Sequence, residues 1–278
     1  LKSTRLGVQF QCRQIRTHFA EQSKFKSACF NRTKETAMSA MQTQETVGEL
    51  VARRPALSRV FEKVGIDYCC GGKKTIEQAC KEKGLDAKSV LAALEACTPT
   101  ENESFVDATT MSLTELADHI EQTHHAYLRR EFPRLDWMTQ KVADVHGDHE
   151  PRLREMRQTY LELVEELSSH MMKEERVLFP LIRQLEASSV APTFHCGSLA
   201  NPMHQMEAEH RDSGSALERL SDLSNGYTPP EWACNTYRAM LDALAHLQFD
   251  MHQHIHKEES ILFPNALALE AKLVAKGA

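Results

Sequence analysis

Two stretches of the sequence repeat one pattern. Residues 170–180 read His170-x-x-x-Glu174-Glu175-x-x-Leu178-Phe179-Pro180, and residues 254–264 read His254-x-x-x-Glu258-Glu259-x-x-Leu262-Phe263-Pro264, each position offset by 84. A His and a Glu four residues apart share one helix face. Two such helices facing each other place imidazole and carboxylate around a buried two-metal site. The repeat extends outward: His210 lies 44 residues before His254, and His125 lies 45 before His170. Each half of the repeat thus supplies one His, then one His and one Glu.

Four His and two Glu suit a pair of iron ions. With Glu174 and Glu258 both bridging, two His per iron and an oxo or hydroxo bridge leave each iron one open position for a diatomic gas or an exchangeable ligand. The residual positive charge should attract further carboxylates, because a metal-bound His donates its outer N–H to one. Glu166 and Asp250, four residues before His170 and His254, and Glu209 beside His210 are the candidates. Glu175 and Glu259 are turned about 100° from the His face.

The competing reading is a pair of exposed i,i+4 contacts. Leu163, Leu167, Val177, Leu178 and Leu181 around the first pair, and Leu247, Met251, Ile261 and Leu262 around the second, argue against it. Buried without a metal, these groups would be costly. His210 sits with Met203, Met206 and Leu217. The first helix is ambiguous: local periodicity with Ala117, Ile120 and Tyr127 favours His124, whereas spacing within the repeat favours His125. The remaining histidines, His256 among them, read as surface or ordinary core residues.

A second constellation is Cys69-Cys70, within a glycine-rich turn from Gly65 to Gly72. Adjacent cysteines close only a strained disulfide ring. Lys73, Lys74 and a helix start just beyond are expected to lower the thiol pKa. The pair reads as a soft-metal or redox site; the alternative is two small turn residues. Cys80 and Cys97 fall at apolar helix positions and read as core. Among eight cysteines there is no C-x-x-C pair. The sequence also lacks an H-E-x-x-H helix, a P-loop, a G-x-G-x-x-G and a G-x-S-x-G.

The elements that position these residues are helical. Residues 1–44 are basic and without period, and are expected to be a disordered or non-native leader, or a transit peptide. Residues 45–97 read as a small domain of short helices, the first capped by Thr46 with Glu49 and the third by Thr75. Residues 98–108 are a polar linker. Residues 109–274 read as an antiparallel four-helix bundle, with helices near 111–143, 151–187, 198–224 and 230–272. Pro133 is expected to bend the first helix; Pro180 and Pro264 are expected to end or kink the second and fourth. The fold class is all-α.

Bulk properties agree. Residues 1–37 carry eight Lys/Arg against two Asp/Glu, leaving −12 on the rest of a chain whose net charge is −6. An acidic body of that kind argues against nucleic acid as a partner. No apolar run is long enough to span a membrane and no secretory signal opens the sequence, so a cytoplasmic protein is expected.

Asp67-Tyr68-Cys69-Cys70-Gly71-Gly72-Lys73, Ser168-Ser169-His170-Met171-Met172-Lys173-Glu174-Glu175 and the paired Leu-Phe-Pro motifs resemble the repair-of-iron-centres family of di-iron proteins (YtfE/ScdA type) over roughly residues 45–270. The resemblance implies a small vicinal-Cys domain joined to a hemerythrin-like bundle. It implies a non-haem di-iron centre on His125, His170, Glu174, His210, His254 and Glu258, with His125 closing a D-H-x-x-x-x-x-H pattern that starts at Asp118. The implied function is repair of iron–sulfur clusters damaged by nitrosative or oxidative stress, by iron donation or by nitric oxide reduction. Cys69 and Cys70 would assist as thiol, redox or iron-transfer groups. The implied partners are damaged or apo iron–sulfur proteins, with nitric oxide as a small-molecule ligand and the chain a monomer or homodimer. Two rivals stand beside this: a hemerythrin-like oxygen or nitric oxide binding or sensing protein, and a structural bundle with surface His/Glu pairs.

Overall fold

Capping chemistry starts the small helices as the sequence suggests. The computed structural model describes residues 45–97 and 106–277; the expected leader and most of the expected linker lie outside them. Thr46 and Glu49 form a capping box on α1 (Val47–Arg53), and Thr75 with Gln78 forms another on α3 (Ile76–Lys83). Between them lie a 3-10 turn at Pro55–Leu57 and α2 (Ser58–Val64); α4 (Ala87–Glu95) follows. Gly65 and Gly84 close α2 and α3 in the left-handed region, at φ 71° and 66°, where a side chain would be strained. Val47, Val51, Leu57, Phe61, Ile76, Val90 and Leu94 bury their side chains together. Cys80 lies in this core and half-buried Cys97 packs on it.

Four long helical rods follow. The first is α5 (Leu113–Ile120), a π-turn at Glu121–His125 and α6 (Ala126–His146). The second is α7 (Arg152–Lys173), a π-turn at Glu174–Leu178 and α8 (Phe179–Ala187). The third is α9 (Ala200–Leu223), and the fourth is α10 (Asn235–Lys257), a π-turn at Glu258–Leu262 and α11 (Phe263–Gly277). Pro133 sits inside α6 without ending it.

Pro180 and Pro264, expected to end or kink their helices, do not end them. Each is the second residue of the α-helical segment that follows a π-turn. A proline ring meets the carbonyl four residues back, and the widened turn displaces that carbonyl. All three π-turns fall at the candidate ligands, as such single-turn bulges often do at functional sites.

Two apolar clusters fill the bundle. One joins Leu128, Leu135, Tyr160, Leu163, Leu167, Leu244, Leu247 and Met251. The other joins Leu116, Ile120, Leu178, Phe179, Met203, Met206, Leu262 and Phe263. The π-turns of the first, second and fourth rods lie between them in sequence, so the candidate site sits at the seam.

Candidate metal centre

Six side chains from the four rods converge at the seam, all at 2 % exposure or less: His125, His170, Glu174, His210, His254 and Glu258. They divide into two halves. His170 Nε2 and His210 Nε2 are 3.1 Å apart, and His125 Nε2 and His254 Nε2 are 3.3 Å apart. Each glutamate reaches both halves. Glu174 places Oε1 3.1 Å from His170 and Oε2 3.2 Å from His125. Glu258 places Oε2 3.0 Å from His210 and Oε1 3.3 Å from His254.

The outer ring nitrogens fix the protonation pattern. His125 Nδ1 lies 2.7 Å from Glu175, His170 Nδ1 2.8 Å from Glu209 and His210 Nδ1 2.9 Å from Glu259. A carboxylate accepts, so each Nδ1 carries the proton and each Nε2 turns a lone pair inward. All four oxygens of Glu174 and Glu258 are buried without a hydrogen bond. With His125, His170 and His210 neutral, the centre sets acceptors against acceptors. Leaving even one such group unsatisfied costs about 1–3 kcal/mol, more when it is charged. A cation removes the conflict. Adjacent ligands about 2.1 Å from one ion and at right angles are ~3.0 Å apart, close to the observed spacings.

The electrostatics make the same demand. Burial works against protonating His170 and His210, yet the carboxylates around them outweigh it and lift them to about 9 and about 10. Burial also opposes ionising Glu258, but His254 and His210 hold its carboxyl well below the ordinary range. The cluster calls for positive charge, as protons or as metal.

The histidine doublet resolves on geometry. His124 Nδ1 lies 2.9 Å from Asp250 Oδ1, and Lys257 Nζ lies 3.0 Å from His124 Nε2. An ammonium can only donate, so it takes the Nε2 lone pair and leaves His124 none for the centre. His125 alone faces inward.

Three expectations need correcting. Glu166 is exposed and does not reach His170, whose outer nitrogen pairs with Glu209 from the neighbouring rod. Asp250 holds His124, not His254. The Cys69 thiol is pushed well above its ordinary pKa, by the Cys70 hydrogen bond, burial and Asp67. The lysines meant to lower it are engaged elsewhere, Lys73 with Glu207 and Lys74 with Glu82. Glu209 meets the outer nitrogen of His170, not that of its neighbour His210. Glu175 and Glu259, set aside on helical angle, are the partners of His125 and His210. The Leu-Phe-Pro motifs also take part: Phe179 stacks on His125 and Phe263 on His210, at interplanar angles of 15° and 8°.

The cysteine turn packs against this centre. Asp67 accepts from the Cys69 and Gly71 main-chain N–H groups at 2.9 and 2.8 Å, and from Cys69 Sγ at 3.1 Å. Cys70 Sγ lies 3.9 Å from Cys69 Sγ and 3.5 Å from the main-chain oxygen of His210.

Comparison with known proteins fits this arrangement. A domain of unknown function (DUF542, ScdA_N) matches residues 43–98, and the hemerythrin HHE cation binding domain matches residues 116–266. The iron–sulfur cluster repair protein YtfE of Enterobacter sp. (strain 638) is 38% identical over 226 residues, 81% of this chain and 98% of its own. The chain belongs to the YtfE family. The family's proteins of the same name from Citrobacter koseri and Escherichia coli O157:H7 are each 38% identical over 227 residues, 81% of this chain and 98% of theirs. The His/Glu centre lies inside the part matched by the cation-binding domain, and the cysteine turn inside the DUF542 part. No helix among the described residues is long and apolar enough to cross a membrane.

Proposed function

We propose that this chain holds two iron ions between its four histidines and two glutamates and takes part in repairing iron–sulfur clusters damaged by nitrosative or oxidative stress. The observation that carries this reading is the buried cluster of four inward Nε2 atoms and four carboxylate oxygens, in which three of the histidines give their outer nitrogens to carboxylates. Iron bound there supplies an exchangeable metal ion and one-electron chemistry. Glu174 and Glu258 each offer one oxygen to either half. Glu175, Glu209 and Glu259 orient the imidazoles. Phe179 and Phe263 exclude water from two of them. Cys69 and Cys70, against the His210 main chain, offer thiols beside the buried centre, and keeping them reduced suits an intracellular setting. The relatives' name, iron–sulfur cluster repair protein, supports the same reading.

The test is metal content and delivery. Anaerobically reconstituted chain should hold about two irons, lost in Glu174→Ala and Glu258→Ala, and should rebuild the cluster of an apo iron–sulfur protein supplied with sulfide. Tight retention of iron with no transfer to any apo-protein would count against repair.

One feature favours a second reading, a protein that binds or reduces a diatomic gas. A cavity of about 230 Å³ is lined in part by His124, Asp250, Gln253, His256 and Lys257, and so adjoins the ring that stacks on His254. A stable, reversible dioxygen adduct without iron transfer would support that reading.

A further inference from the structure

The two halves of the centre descend from one repeat, yet their surroundings differ at one position. In the half framed by His170 and His210, both outer nitrogens meet carboxylates, Glu209 and Glu259. Glu209 immediately precedes His210, and it also pairs with Lys173, three residues after His170. In the half framed by His125 and His254, the residue immediately before His125 is His124, and the lysine three residues after His254 is Lys257. Lys257 donates to His124 as Lys173 donates to Glu209. The frame repeats, with imidazole in place of carboxylate.

That replacement changes what the ligand histidine receives. His124 stacks on His254 with ring centroids 5.4 Å apart and planes within 2°. A ring stacked over His254 lies off the plane in which the His254 Nδ1–H would donate, and His254 Nδ1 is buried with no partner. A carboxylate on the outer N–H orients an imidazole and makes its inner nitrogen a stronger donor to metal. His170, His210 and His125 have this support; His254 does not. His124 and Lys257 also line the cavity.

We propose that the half framed by His125 and His254 binds its ion more weakly and releases it first, because His124 stands where the other half places Glu209. Glu209 and His124 are positioning residues, acting through His170 and His254. The inference rests on the metal-centre reading above and assigns the outgoing iron to one side of it.

The experiment is a stepwise anaerobic titration of the full metal-free chain with iron(II) against a chromophoric chelator, with a Mössbauer spectrum at one iron per chain. Two steps separated by roughly 10- to 100-fold are expected, the usual worth of an outer carboxylate, with one dominant iron environment at half loading. Glu209→Gln should weaken the tighter step by about that factor and bring the two together. His124→Glu should strengthen the weaker step, with the new carboxylate meeting Lys257. Two equal steps in the unmodified chain, or a Glu209→Gln variant that lowers both steps equally, would overturn the assignment. A chain that binds no iron at all would overturn it together with the metal-centre reading, whereas two equal steps leave that reading standing.

Discussion

Glu175 and Glu259 do work that an ideal helix would not assign to them. Each follows Glu174 or Glu258 by one residue, about 100° around the helix, and so points to the adjoining rod. There each meets the outer nitrogen of a ligand histidine, Glu175 while also gripping Arg129 at 2.6 and 2.7 Å. Glu175→Gln and Glu259→Gln should each lower metal affinity, roughly 10- to 100-fold, with helicity unchanged. Chelator competition on the intact chain reads this directly, and unaltered affinity would remove both residues from the centre. Five of the six inward-facing residues were legible in the sequence because Nε2 follows the helix face, and face follows spacing; His125 was not separable from His124 that way. The outer partners were not legible. Nδ1 points sideways across the groove between rods, so its partner is set by how the rods pack. A carboxylate four residues back on the same helix, such as Glu166, is therefore too far along the axis to meet it.

The turn carrying the cysteines depends on close backbone approach. A Cβ on Gly72 would stand 2.7 Å from the Tyr68 oxygen and 3.0 Å from the Cys69 oxygen, both main-chain atoms with little room to move. A Cβ on Gly48 would stand 3.0 Å from the Gly72 oxygen, where α1 crosses the turn. Gly72→Ala should cost about 1–3 kcal/mol in chemical denaturation, the range for forcing atoms into a filled site. No change in the unfolding midpoint would contradict it. Capping boxes and glycine stops made the short helices readable, since these are local backbone chemistry. The π-turns were hidden for the opposite reason. Nothing in the type of Glu174 or Glu258 signals a wider turn, and the prolines that follow suggested only an end or a kink.

Across the whole molecule the centre concentrates charge that must be balanced. In metal-free chain, His170 and His210 are lifted to about 9 and about 10, above the ordinary value near 6.5. Their stabilising contribution is complete below about 6.5 and lost as pH rises through those raised values. Glu258 is depressed, so its contribution is present above about 4.5 and lost as pH falls through its lowered value. Metal-free chain should therefore be most stable between these limits and should lose thermal stability from about pH 6.5 to 10. Metal needs the same nitrogens deprotonated, so the stabilisation it adds should grow over that interval. Melting temperatures of metal-free and loaded chain across the range test both signs; a metal-free melting temperature that rises with pH would refute the assignment.

The seam between the two apolar clusters has a mechanical meaning. Leu163, Leu167, Leu247 and Met251 belong to one cluster and Leu178, Phe179, Leu262 and Phe263 to the other, on rods that pass from one into the other through a π-turn. The six polar side chains between them tie both clusters together only when their charges are neutralised. An ion bound there would act as a rivet and confer cooperativity. Loaded chain should melt in one transition, and metal-free chain in two that calorimetry separates, each cluster loosening on its own. Releasing iron would then also soften the fold at the place where the next ion must enter.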